Sequence, residues 1–237
     1  MERKFKFSIG EFYHIYNRGA EKRTIFIEPS DYERFVKLLY LCNGVEPTVM
    51  KLVQRLPLDE LFNLDVGGKI VDIGAYCLMS NHFHLILHER QEGGISTFVQ
   101  RICTGYSLYF NKKYKHSGTL FQGPFKATHL GDDNYLKYMY SYLHLNPIKI
   151  IDRNWKEKGI DDINRAKDFL NSYRYSSYLE YLGLNRPEGR ILNKEEFPGY
   201  FSDKKEFEDF IEDWLSYKDI EGEELSTDLS KGSLWTG

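Results

Sequence analysis

Two apolar runs, residues 69–78 and 82–88, stand on either side of Ser80-Asn81, and no other feature constrains the fold as much. Strand-length runs joined by a short polar turn read as a β-hairpin, which commits the chain to an antiparallel sheet. Around the hairpin the periodicities alternate. Phe12 to Asn17 reads as a strand ended by Arg18-Gly19, and Asp31 to Leu41 as a helix capped by Ser30 or Asp31. Ile95, Phe98, Val99, Ile102, Tyr106, Tyr109 and Phe110 recur at the spacing of a core-facing helix. Phe125 to Leu130 is a further strand. Asp132-Asp133 opens a helix that should run to Leu145, because the residue before Pro147 is pushed out of helical geometry. Strand, helix, strand, strand, helix, strand, helix is the order of a ferredoxin-like α+β sandwich, an antiparallel sheet with helices on one face.

The second hairpin strand opens on His82-Phe83-His84. Residues two apart on a strand share a face, so both imidazoles can reach one ion while Phe83 points into the core behind them. The apolar neighbours Leu78, Leu85, Ile86 and Leu87 offer them few other partners. His88 falls on the same face but about 13 Å beyond His84, too far to share an ion. On the last helix, Tyr142 and Asn146 are four residues apart, which brings a phenol and an amide oxygen to one space. Tyr138 shares the face of Tyr142 but lies about 12 Å from Asn146 along the axis, so Tyr142 is preferred. His14, His116 and His144 have no such partner spacing and read as structural or surface residues.

A chain of 237 residues can bury a large core, as one domain or one domain with an appendage. Its three cysteines, Cys42, Cys77 and Cys103, include no Cys-x-x-Cys, so neither a disulfide framework nor a cysteine zinc site is indicated. No run approaches the length of a membrane span and no apolar segment follows the basic start. A soluble cytoplasmic protein, nucleoid-associated when on DNA and with no membrane partner, is expected.

The net charge of −3 conceals a division. Residues 1–150 hold 19 Lys and Arg against 15 Asp and Glu, whereas residues 151–237 hold 13 against 20. Only the first part can attract a polyanion. Within it, Lys112, Lys113 and Lys115 interleave with Tyr114 after Phe110. They read either as a solvated helix end favoured by the dipole or as a surface that tracks a single strand and stacks its bases. Arg18, Lys126 and His129 are further candidates for DNA contact. The division of the chain is then residues 1–150 with an insertion at 45–68, a helical extension over 151–218, and a tail over 219–237. The insertion holds a short helical stretch near Thr48 to Leu56, broken at Pro57. The extension ends on an amphipathic helix bearing Phe207, Phe210, Ile211, Trp214 and Leu215, and the acidic tail is expected to be disordered.

Several ordered blocks resemble one family. They are Tyr13-His14-Ile15 with Asn17-Arg18-Gly19, the block from Met79 to Leu87, Phe110-Asn111 with Lys113-Tyr114, residues 120–126, and residues 142–147. Together they resemble the HUH single-tyrosine transposases, named for the His-hydrophobic-His motif, and among these the REP-associated, IS200-like branch. Tyr175-Ser176-Ser177-Tyr178 with Tyr181-Leu182-Gly183 resembles the C-terminal extension of many members. The resemblance implies a ferredoxin-like nuclease that cuts and joins single-stranded DNA without ATP, on hairpin or palindromic targets, as a monomer or a homodimer. By position, His82 and His84 would hold a divalent metal, Mg2+ or Mn2+, Asn146 would be the third ligand, and Tyr142 the nucleophile. Departures are the 45–68 insertion, Lys149 where arginine is common, and the acidic tail.

The residue types are suited to that chemistry. A divalent ion held by two imidazoles and an amide oxygen keeps positions for phosphate oxygens, and attack by Tyr142 would leave a 5′-phosphotyrosine and a free 3′-hydroxyl. The competing reading is a non-catalytic, domesticated single-stranded nucleic-acid binder on the same fold, which gives the histidine pair no role. A histidine phosphoesterase would need two His-x-Ser/Thr motifs, which are absent, and a zinc hydrolase a third histidine or carboxylate ligand that is not evident.

Overall fold

The hairpin is present, and it forms the edge and second strand of a four-stranded sheet. A computed structural model describes residues 6–46, 53 and 55–216. Strands β1 (Phe12–Arg18), β2 (Val71–Met79), β3 (His82–Glu89) and β4 (Lys126–His129) lie in the order β2-β3-β1-β4, and every neighbouring pair is antiparallel. This is the ferredoxin-like order, with the two strands of the hairpin adjacent and β1 carried between β3 and β4. The helices are α1 (Pro29–Leu41), α2 (Leu58–Leu61), α3 (Gly94–Tyr114), α4 (Asp133–Leu145), α5 (Trp155–Lys158), α6 (Ile163–Ser172), α7 (Tyr178–Tyr181) and α8 (Lys204–Ser216).

Strand parity divides the sheet into two chemically different faces. Tyr13, Ile15, Phe83, Leu85 and Leu87 point to one side and join Phe35, Leu39, Phe98, Ile102 and Tyr106 of α1 and α3 in the main core. The opposite face carries His14, Tyr16, His82, His84 and His88, with Ile86 and Ala75 packed on Leu136, Met139, Tyr140 and Leu143 of α4. The pair α1 and α3 thus occupies the face that the sandwich order assigns to helices, while α4 and the extension cover the other. A bulge between Ile73 and Ala75 keeps β2 in step with both faces: Ile73 belongs to the main core, and after the slip Tyr76 and Leu78 do. Gly74 sits in that bulge, where a Cβ would lie 2.7 Å from the Phe197 ring and 2.8 Å from the Tyr140 hydroxyl.

The caps explain the helix boundaries. Asp132 accepts from the Tyr135 N–H and opens α4 as expected. For α1 the expected cap at Ser30 or Asp31 moves to Glu28, because Pro29 takes the first helical position, where its missing N–H costs nothing. Asp31 then closes a capping box, accepting from the Ile27 and Glu28 N–H groups.

At the foot of the 45–68 insertion, Val45 N–H donates to the Gly68 carbonyl and Gly44 bridges Lys69. Most of the stretch expected to be helical near Thr48 to Leu56 lies outside the described residues, as does the tail over 219–237. The extension closes the free edge of β2: Ser176 bridges Cys77, and Leu78 N–H donates to the Tyr175 carbonyl at 2.9 Å. The motif Tyr175-Ser176-Ser177-Tyr178 therefore covers a strand edge that would otherwise be open to pairing. Phe207, Ile211 and Leu215 of α8 pack with Leu145, Ile148, Leu170 and Tyr178. Among the described residues no helix is long and apolar enough to cross a membrane.

Candidate active site

The start of β3 places His82 and His84 on the face turned toward α4, their ring centroids 4.9 Å apart and their planes perpendicular. The Nδ1 of His82 lies 2.5 Å from Asn81 Oδ1. Asn81 Nδ2 donates to the Lys22 carbonyl, which turns the amide oxygen toward the imidazole and makes His82 the donor. His82 therefore carries its proton on Nδ1 and its lone pair on Nε2. His84 is buried, and its Nδ1 lies 2.8 Å from Nε2 of His14.

Burial, followed by the charges of Arg18 and Lys149, pushes the His82 pKa down to about 3. Burial does the same to His14, also to about 3. His82 and His14 are therefore neutral near pH 7, which for His82 is the state a metal ligand requires. Among the described residues no group of three or more His, Cys, Asp or Glu side chains converges on a point. A metal at His82 and His84 would need a ligand of another kind to complete its set.

Tyr142, half-buried on α4, turns its ring edge-on to His84 and His14, with centroids 5.8 and 6.0 Å away. Burial, and then Tyr138, raises its pKa to about 12, while the Asn146 amide acts in the opposite direction. Asn146 is buried at the C-terminal end of α4. Its side-chain amide lies within hydrogen-bonding reach of the Tyr142 hydroxyl, where its N–H favours the phenolate. Tyr138 packs on Trp214 of α8, 5.0 Å between centroids, and lies 6.2 Å from Tyr142 on the side away from Asn146. The geometry thus groups His82, His84, Tyr142 and Asn146, and these residues fit a divalent ion.

The charged candidates separate. Arg18 stands directly opposite His82 in the β1–β3 register, so it belongs to this site. Lys149, in the 3-10 turn that follows α4, also acts on His82. The α3 cluster lies across the sheet and is partly occupied within the molecule. Lys113 Nζ donates to Asp31 at 2.6 Å and to Ser30 at 2.7 Å and pairs with Glu28 at 2.5 Å, while the Tyr114 hydroxyl donates to Asp31 at 2.7 Å. These bonds clamp the end of α3 to the start of α1. Lys112 and Lys115 are exposed. Lys126, on edge strand β4, pairs opposite Tyr16, and the His129 imidazole meets Glu11 at 2.6 Å.

Three residues of the site were not singled out by their sequence pattern. His14, read as structural or surface, is buried and bonded to His84. Strand parity placed it on one face with Tyr16 and Arg18, but which face depends on pairing between β1 and β3 that no local pattern encodes. Asn81 looked like a turn residue, and Lys149 a departure from a motif. By contrast, His116 and His144 are structural as read, bonded to Asn111 and Ser177 respectively. His88 is bonded to Asp72 and plays no part.

Residues 58–146 match the family model described as "Transposase IS200 like". That segment contains all four grouped residues. A solved structure described as "Structure of the REP associates tyrosine transposase bound to a REP hairpin" is similar over 79% of this chain and 89% of its own, at 13% identity and a TM-score of 0.48. A likeness of that size carries no argument about this chain. No curated protein matches the sequence. Residues 58–146, which hold the histidine pair, the tyrosine and the asparagine, are thus similar to the IS200-like transposase family.

Proposed function

We propose that the protein is a metal-dependent transposase that cleaves and rejoins single-stranded DNA through a 5′-phosphotyrosine on Tyr142. The observation that carries the reading is the position of the Tyr142 ring, edge-on to His84 and one helical turn from Asn146. His82, His84 and Asn146 would hold Mg2+ or Mn2+. When bound, that ion supplies Lewis acidity to the phosphate and a positive field that favours the phenolate.

Tyr142 is the nucleophile. With its pKa raised to about 12 the phenol is not ionised in advance, so its proton passes to solvent during the attack itself. The phenolate oxygen attacks phosphorus, a P–O bond to Tyr142 forms, and the bond to the 3′-oxygen breaks. The leaving oxygen takes a proton and becomes a 3′-hydroxyl. The number of phosphate ester bonds is unchanged, so a second 3′-hydroxyl can reverse the step and join a strand without ATP. Asn146 Nδ2 and the cations of Arg18 and Lys149 would hold the phosphate oxygens, each contact strengthened by the charge it meets. A single strand bearing a hairpin is the substrate that the similarity of residues 58–146 to the IS200-like transposases suggests. The test is a denaturing gel of labelled hairpin DNA incubated with protein and Mn2+. A protein-linked band that disappears in Tyr142→Phe supports the proposal. Strand binding without cleavage in any divalent metal would instead favour the non-catalytic binder.

A further inference from the structure

In both His82 and His84 the ring Nδ1 faces a neighbouring side chain. We propose that Asn81 and His14 are positioning residues that accept these two Nδ1–H groups, leaving Nε2 of both histidines as the atoms that bind a divalent cation. The inference rests on the metal-site reading above and extends it to two residues outside the ligand set. A neutral imidazole has one N–H and one lone pair, so fixing the proton on one nitrogen fixes the ligand atom as the other.

For His82 the direction follows from Asn81. Its Nδ2 is used on the Lys22 carbonyl, so only its oxygen is left to face the ring. For His84 the partner is another imidazole, and two arrangements satisfy the 2.8 Å contact. In one, His84 Nδ1–H donates to His14 Nε2. In the other, His14 donates, which puts the proton of His84 on Nε2 and removes the lone pair a cation needs. The rings of His14 and His84 are inclined by only 17°, so the lone pair of one lies close to the plane of the other's N–H. Only the first arrangement gives the site two equivalent Nε2 ligands. It also gives the burial of His14 a purpose, since a ring sealed between β1 and α4 holds the orientation of His84 before any cation arrives.

The direct test is a long-range proton–nitrogen correlation spectrum of 15N-labelled protein without metal. The expected pattern is a protonated Nδ1 and a bare Nε2 on His82, His84 and His14. A proton on Nε2 of His84 overturns the assignment. The second measurement is calorimetric titration of Mn2+ into wild type, His14→Phe and His14→Gln. His14→Phe should bind about 10–100-fold more weakly, a usual loss when an outer-shell partner is removed. His14→Gln, whose side-chain oxygen can accept the same N–H, should recover most of it. Equal affinity in all three proteins overturns the role of His14. Should wild type bind no Mn2+, the metal site itself fails, and the spectrum still decides the tautomers. It also decides them if His14→Phe does not fold.

Discussion

Tyr142 meets His84 edge-on, 5.8 Å between ring centroids at an interplanar angle of 89°. One residue comes from the helix that follows the last strand and the other from the hairpin, so the contact joins two motifs some sixty residues apart in sequence. It also separates Tyr142 from Tyr138, whose ring is packed against Trp214.

The cations on the two faces of the sheet should behave differently. Lys149→Ala should weaken single-strand binding about uniformly across sequences and lower the salt slope by about one, as expected for one lost phosphate contact. Lys113→Ala should leave binding almost unchanged. Burial alone would lower the Lys113 pKa, but its bonds to Asp31 and Glu28 hold it well above the ordinary lysine range, so its charge is committed within the molecule. Removing it leaves the buried Asp31 short of a cation, at a cost of about 1–3 kcal/mol in stability. Salt-dependent binding and denaturant unfolding of both variants check the contrast.

Gly74→Ala should destabilise the fold. The added methyl would meet the Phe197 ring at 2.7 Å and the Tyr140 hydroxyl at 2.8 Å, and both partners are buried. Overpacking of this kind typically costs about 1–3 kcal/mol. A lowered thermal midpoint is expected, and an unchanged one would mean that the extension yields at Phe197.

Acid should destabilise the protein through histidines that fold in the neutral form. His144 is fully buried, and burial, then Lys194, lowers its pKa from 6.5 to about 3. Between those values the unfolded chain binds a proton that the folded chain does not. Stability is therefore complete above the unfolded pKa and falls as pH drops toward the folded one, by at most about 1.4 kcal/mol per pH unit for each such group. Denaturant midpoints measured from pH 7 to pH 4 should decline, and His144→Gln should decline less steeply.

Much of this was legible in the sequence because period and punctuation are local. Parity put His82 and His84 on one face, Pro147 ended α4, and the apolar hairpin fixed the sheet. What escaped depends on long-range pairing. His14 needed the register of β1 on β3, in which Tyr16 rather than His14 stands opposite His84. Lys113 and Tyr114 looked free because their partners, Glu28 and Asp31, are more than eighty residues away on the capped start of α1. The side of the sheet taken by α4 likewise followed from the crossover after β4.

The most direct test of the central claim is mass spectrometry of the protein after reaction with a 5′- and 3′-labelled hairpin strand in Mn2+. The predicted result is one adduct, a 5′-phosphate ester on the peptide containing Tyr142, present in wild type and Tyr138→Phe and absent in Tyr142→Phe. Such a pattern requires only that the hydroxyl of Tyr142 be the attacking group, since its removal leaves the ring packing on His84 in place. An adduct on Tyr138, or one that survives in Tyr142→Phe, would contradict it.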